Sequence, residues 1–353
     1  MVAMSGAGRT AARACEGVAP IPDTAHPFRF EPGLIMSANH LCEDSGVFRA
    51  ATHFFSRTGE GHVFDPTESA LSRWGNDSLN GPAVVGLAAR ALEAAYGMAG
   101  FLPTRLTADL FKAAHRVPTE VRTRLVRDGR RIRNAECDIL QDGTVVARAT
   151  MVAYRMSAPP PGAEWSVQES FTPPDGVSGP AYVIGSDGSG WSDAGTAHQN
   201  TARKRVYHRS IDVVDGERPS PFVRTVVAAE ATSLVTNMGT RGIGYINGDL
   251  TVALCRLPDG DFIGVQADSH WCADGISVGA ATLFDEAARI MGDRWASLIM
   301  RSIFTNINRF DDIRRDTAIA TNILAERLAW LSERFSADRI DDDECIEVMG
   351  RYH

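Results

Sequence analysis

Gly81-Pro82-Ala83-Val84-Val85 opens a run of small and apolar residues in which Val84, Leu87, Ala88, Ala91, Leu92 and Ala95 recur at helical spacing up to Tyr96. Pro82 stands in the first helical turn, where a missing N–H costs no hydrogen bond. The stretch Pro221-Phe222-Val223-Arg224 opens a second such run 140 residues later. Asp109-Leu110, set in an alternating strand pattern, has its counterpart Asp249-Leu250 at the same offset. Asp128-Gly129 returns as Asp274-Gly275 after 146 residues, and Asp142 behind Ile139-Leu140 returns as Asp285 behind Leu283-Phe284 after 143. Likeness at a long, nearly fixed offset means a duplicated domain rather than a short-period solenoid. Each copy reads as one helix followed by a strand meander.

Composition narrows the function classes. A chain of 353 residues with 44% hydrophobic and 23% charged residues is that of a globular protein with ordinary cores. A formal charge of −8 argues against a surface given over to nucleic acid. No apolar run approaches the roughly 18 residues of a membrane span, and the N-terminus holds no apolar stretch of secretory-signal length. Cys15, Cys42, Cys137, Cys255, Cys272 and Cys345 are scattered, with no CxxC pair. Single thiols without zinc spacing fit a reducing cytosol, so a cytoplasmic protein with no membrane partner, metal or cofactor is expected.

The pass along the chain gives five segments. Residues 1–44, rich in Ala, Gly and Pro, read as a loose arm. Residues 45–157 hold the first copy, with a strand over 62–69, a helix over 83–96 and strands over 106–114, 120–126, 132–140 and 145–154. Asp128-Gly129 and Asp142-Gly143 read as two-residue hairpin connectors. Residues 158–200, with Pro159-Pro160-Pro161-Gly162 and a Gly/Ser/Asp-rich stretch, read as a linker. Residues 201–290 hold the second copy, with a helix over 222–234 and strands over 206–214, 244–257, 262–271 and 276–284. Its last strand should fall near 287–297, where Ala287-Ala288-Arg289-Ile290-Met291-Gly292-Asp293 does not read as one. A helix over Asp293–Phe304 is expected instead, because Leu298, Ile299, Ile303 and Phe304 suit one helical face.

Over residues 54–290 the chain resembles the TesB-like acyl-CoA thioesterases. The likeness rests on Trp74-Gly75, on Asn80-Gly81 before the first helix, on Ala228-Ala229-Glu230-Ala231 on the second, and on Ile246-Asn247-Gly248-Asp249-Leu250 and Arg256-Leu257-Pro258. The resemblance implies an α+β fold, a tandem (double) hotdog whose helices are wrapped by antiparallel sheet, with the two sheets continuous. It also implies an acyl-CoA or related acyl thioester as substrate, bearing a fatty or aromatic acyl group. In that family an Asp on the second helix, a hydroxyl at the next strand and a Gln on the last strand hold the attacking water. Carried over, these become Glu230, Asn247 and a position near Ala296, where the Gln is missing. A helix N-terminus, with unpaired N–H groups, polarises the carbonyl, so Asn80, Gly81 and Trp74 are expected at the substrate. Each residue also has a plainer role open to it. Glu230 suits a structural carboxylate, Asn80 a helix cap, and Glu93 an exposed helical acid. His270-Trp271-Cys272 lacks ligand neighbours.

From residue 291 to 353 the chain resembles an HxlR-type winged helix-turn-helix. Gly292-Asp293-Arg294-Trp295, Leu298-Ile299-Met300-Arg301, Arg309-Phe310-Asp311-Asp312-Ile313 and Ile319-Ala320-Thr321-Asn322-Ile323-Leu324 carry the likeness, with Arg327-Leu328 and Leu331. It implies a second helix over 310–315 and a recognition helix over 321–331, with Thr321, Asn322 and Arg327 toward DNA. Charge opposes that partner. Five acids balance five bases over 302–335, and the last 18 residues carry six acids against two bases, where phosphate contacts need a basic wing. The expected function is thus thioester hydrolysis by water attack, weakened where the Gln is missing. The alternative is an acyl-CoA-sensing regulator with a DNA-binding tail, and a homo-oligomer is compatible with either.

Overall fold

The computed structural model describes residues 53–286, apart from 60, 73–76, 159, 163–164, 166–170 and 178–180, and residues 309–329, apart from 318 and 326–327. The first copy begins with β1 (His53–Arg57) and β2 (Val63–Pro66) and continues into helix α1 (Gly81–Tyr96). The meander β3 (Phe101–Leu110), β4 (Thr119–Asp128), β5 (Ile132–Gln141) and β6 (Thr144–Arg155) follows. Every residue from Ala83 to Ala89 is buried, so α1 is apolar on all sides, the mark of a helix enclosed by its own domain. Its small residues set the packing distance. A Cβ on Gly86 would fall 2.8 Å from Val227 Cγ2 on the second copy's helix. Leu87 and Leu92, both fully buried, each contribute about 1.5–3 kcal/mol of burial.

The second copy starts earlier than the sequence suggests. Strands β7 (Ala181–Ser186) and β8 (Ser189–Ser192) form inside the stretch expected to be linker, and β7 pairs antiparallel with β9 (Lys204–Arg209). The Gly/Ser/Asp composition belongs to the tight β7–β8 turn, where Gly188 takes a φ of 75°. Phe171, also from that stretch, stacks on Phe284 at 5.0 Å. Then come β10 (Asp212–Val214), α2 (Pro221–Ala229), α3 (Thr232–Asn237) and a small ribbon of β11 (Met238–Gly239) with β12 (Gly242–Ile243). Strands β13 (Asp249–Ala253), β14 (Ile263–Ala273) and β15 (Ile276–Phe284) complete the copy. The single helix expected over 222–234 is thus two pieces, parted at Glu230 and Ala231.

The copies are joined by backbone pairing. The eight-stranded sheet runs β10-β1-β2-β4-β5-β6-β3-β13, so strands of the second copy border the first on both edges. On one edge Asp249 pairs with Asp109, the same two residues that stand 140 apart in sequence. The pseudo-twofold relating the copies therefore passes between them. The remaining strands form a five-stranded sheet, β15-β14-β9-β7-β8. The expected continuous sheet is thus two sheets among the described residues, linked where β9 runs on into β10. In the first copy β6 lies between β5 and β3. The residues that would take the matching place between β15 and β13, including the helix expected over Asp293–Phe304, lie outside the described residues, as does the arm 1–44.

Two of the three Asp-Gly turns behave as expected. Asp142-Gly143 and Asp274-Gly275 have φ of 49° and 71°, and of 51° and 77°, closing two-residue hairpins between Gln141 and Thr144 and between Ala273 and Ile276. Asp128-Gly129 does not, because Asp128 pairs with Arg133 and the loop is longer. Beyond the hotdogs, helix α4 (Phe310–Thr317) buries Ile313, and residues 321–325 are helical with Leu324 buried.

Candidate functional site

The helices α1 and α2 pack against each other, and the N-terminus of α1 meets the end of α2. Asn80 caps α1: its Oδ1 accepts from Ala83 N–H at 2.8 Å, and its Nδ2 donates to Ser69 O at 3.0 Å. Pro82 has no N–H, so the cap leaves the Gly81 N–H as the first-turn donor that it does not use. Glu230, the C-cap residue of α2, is half-buried and turns its carboxylate onto this point. A Cβ on Gly81 would stand 2.1 Å from Glu230 Oε1 and 2.5 Å from Cδ. Only glycine leaves room for the acid there. Asn247, in the loop just before β13, donates from Nδ2 to Glu230 Oε1 at 3.1 Å. Burial raises the Glu230 pKa to about 7, against a lowering by the Asn247 bond. A helix N-terminus, a carboxylate titrating near neutrality and a carboxamide thus converge from both copies.

Residues 70–154 match the family described as acyl-CoA thioesterase N-terminal domain, and residues 158–293 match the acyl-CoA thioesterase C-terminal domain. The chain carries both TesB-like acyl-CoA thioesterase domains. Residues 290–344 match the HxlR-like helix-turn-helix. Among solved structures, a candidate thioesterase II from Thermobifida fusca YX is similar at a TM-score of 0.50 and 16% identity, over 67% of this chain and 92% of that one. A tesB protein from Mycobacterium avium subs paratuberculosis aligns at a TM-score of 0.45 and 16% identity, over 66% and 90% of the two chains. An acyl-CoA thioesterase II from Mycobacterium marinum aligns at 0.47 and 13%, over 64% and 86%. At these identities the likeness is one of fold. No curated protein matches the chain in sequence.

Within this TesB-like double hotdog the other expected residues divide. Asn80 is a cap and anchor whose side chain is fully engaged, so it frames the site rather than facing it. Trp74, Arg327 and the position near Ala296 lie outside the described residues. Glu93 is no exposed acid, since Ser220 Oγ donates to its Oε2 at 2.5 Å. His270 shares a hydrogen bond with Ser277 Oγ at 3.0 Å, and Ser277 donates to Asn237. Among the described residues no group of three or more His, Cys, Asp or Glu could hold a metal. Thr321 and Asn322 are exposed on the C-terminal helical residues. On α4, Arg314 pairs with Asp311 at 3.4 Å and Arg315 with Asp312 at 3.0 Å.

Sequence inspection missed two residues. Tyr182 on β7 and His208 on β9 are register partners with ring centroids 5.3 Å apart. Burial, and then the Glu230 charge, push the Tyr182 phenol upward, while burial lowers His208 to about 4. Tyr182 lies in the stretch taken for linker, and His208 is one residue of an ordinary strand pattern, so neither carried a signal.

Proposed function

We propose that this chain hydrolyses an acyl-CoA thioester where α1 meets α2. The carrying observation is the Glu230 carboxylate seated against Gly81 and bonded to Asn247. The Gly81 N–H receives the thioester oxygen as negative charge builds on it. Glu230 takes a proton from a water that attacks the carbonyl carbon, and Asn247 fixes the carboxylate that holds this water. The C–S bond then breaks, the thiolate receives the proton, and the free acid and the CoA thiol leave. A base titrating near 7 suits this step at neutral pH. The acyl group is fatty or aromatic, by resemblance to the family.

The runner-up, a non-hydrolysing acyl-CoA sensor that acts on DNA, draws on the match over residues 290–344. The α4 arginines favour hydrolysis over that reading, because both are paired to aspartates one turn away and phosphate binding would have to displace them. Release of free thiol from a panel of acyl-CoAs tests the proposal. Turnover in the wild type that falls by 10² or more in Glu230→Gln supports it; binding without turnover supports the sensor.

A further inference from the structure

The duplication places a second pocket at the other end of the helix pair. Its cavity of about 200 Å³ is lined by Arg90, Glu93, Glu217, Arg218 and Ser220, with Val213, Val214, Val223, Ala94 and Pro219 as its apolar side. The 140-residue offset maps it onto the hydrolytic site. Ser220 caps α2 as Asn80 caps α1, with Oγ accepting from Val223 N–H at 3.1 Å. Pro221 stands where Gly81 stands, and Arg90 stands where Glu230 stands. The replacements disarm it. Proline has no N–H to offer a carbonyl, and a guanidinium cannot take a proton from water.

What remains is a small pocket of inverted charge. Glu217 is shared by Arg57 at 2.5 Å and Arg90 at 2.8 Å. On the rim, Asp261 is shared by Arg218 at 2.8 Å, Arg209 at 3.2 Å and Arg224 at 3.8 Å. Five guanidiniums therefore surround these two carboxylates, with Glu93 a third. Glu93 is tied to the Ser220 hydroxyl, and burial raises its pKa, so it keeps its proton more readily than an ordinary acid. Arg90 is free to exchange partners, because Glu217 keeps Arg57 when Arg90 turns away. Guanidinium pairs carboxylates in a bidentate fork, and the valines and Ala94 offer a short apolar wall. The volume is below the usual range for drug-sized ligands, about 300–1,000 Å³, so only a short chain fits.

We propose that this pocket binds a free short-chain carboxylic acid, its carboxylate on Arg90 and its tail on Val213, Val214 and Val223. If the hydrolysis proposed above holds, on which this part rests, such an acid is the reaction's own product, and the silent copy reads it out. The binding claim itself needs no turnover.

Isothermal titration with hexanoate, and with hexanol as the uncharged control, tests the site on the full chain. Wild type and Glu230→Gln should each bind one equivalent of hexanoate and no hexanol. Arg90→Gln should lose at least 10-fold in affinity while retaining thiol release from acyl-CoA. Ala94→Phe, which fills the pocket from its exposed rim without touching the ion pairs, should lose binding as well and covers the case in which Arg90→Gln folds poorly. Absence of hexanoate binding in the wild type overturns the proposal. Binding that survives both Arg90→Gln and Ala94→Phe also overturns it, and its loss in Glu230→Gln alone would assign the acid to the hydrolytic site.

Discussion

Glu230 carries opposing demands of stability and chemistry. Its carboxyl titrates near 7 in the fold against an ordinary 4.5, with burial as the cause. The folded chain thus holds a proton that the unfolded chain has released between those values. Stability from this group is undiminished below pH 4.5, falls as pH rises toward 7, and stays reduced above it. Glu230→Gln is therefore expected to raise the melting temperature at pH 8 and to leave it nearly unchanged at pH 4, measured by calorimetry at both. The same substitution should lower kcat by about 10²-fold or more, the loss expected of a general base. In the wild type, kcat/KM should rise with pH through about 7 and level off, because the charged form is the base. Gly81→Ala inserts a methyl where the carboxylate lies. It should cut kcat by about 10²-fold while a crystal structure shows the Glu230 side chain displaced.

Elements explain which parts of this site could be read in advance. Asn80, Gly81, Glu230 and Asn247 were legible because the helix starts repeat at a fixed offset and because family motifs hold them. Their distance from one another was not, since it arises from packing two helices whose contact residues are a glycine and a valine. The break at Glu230 was also hidden, as Ala228-Ala229-Glu230-Ala231 reads as unbroken helix. Strands β7 and β8 were hidden for another reason: a short strand around a Gly-Ser-Asp turn has the composition of a linker. The cap at Asn80 yields a prediction of its own. Asn80→Ala removes one bond to the helix and one to Ser69, and should cost about 1 kcal/mol, seen as a melting temperature lower by about 2–4 °C. On α4, internal pairing of the arginines predicts no salt-sensitive binding to duplex DNA at low ionic strength, checked by fluorescence anisotropy.

Across the whole molecule, duplication followed by divergence has left two unlike ends on one helix pair. At one end Gly81 and Glu230 leave an N–H and a carboxylate side by side; at the other, Pro221 and Arg90 leave neither. One hydrolytic site per chain follows, so a non-hydrolysable acyl-CoA thioether should saturate at one equivalent in the Glu230 site. The central claim is tested most directly by free-CoA release from acyl-CoA substrates, followed from pH 5 to pH 9 in the wild type and in Glu230→Gln. The account predicts wild-type release that rises through about pH 7 and a variant slower by 10² or more at pH 8. Equal rates for the two proteins, or no release from any acyl-CoA by the wild type, would contradict it.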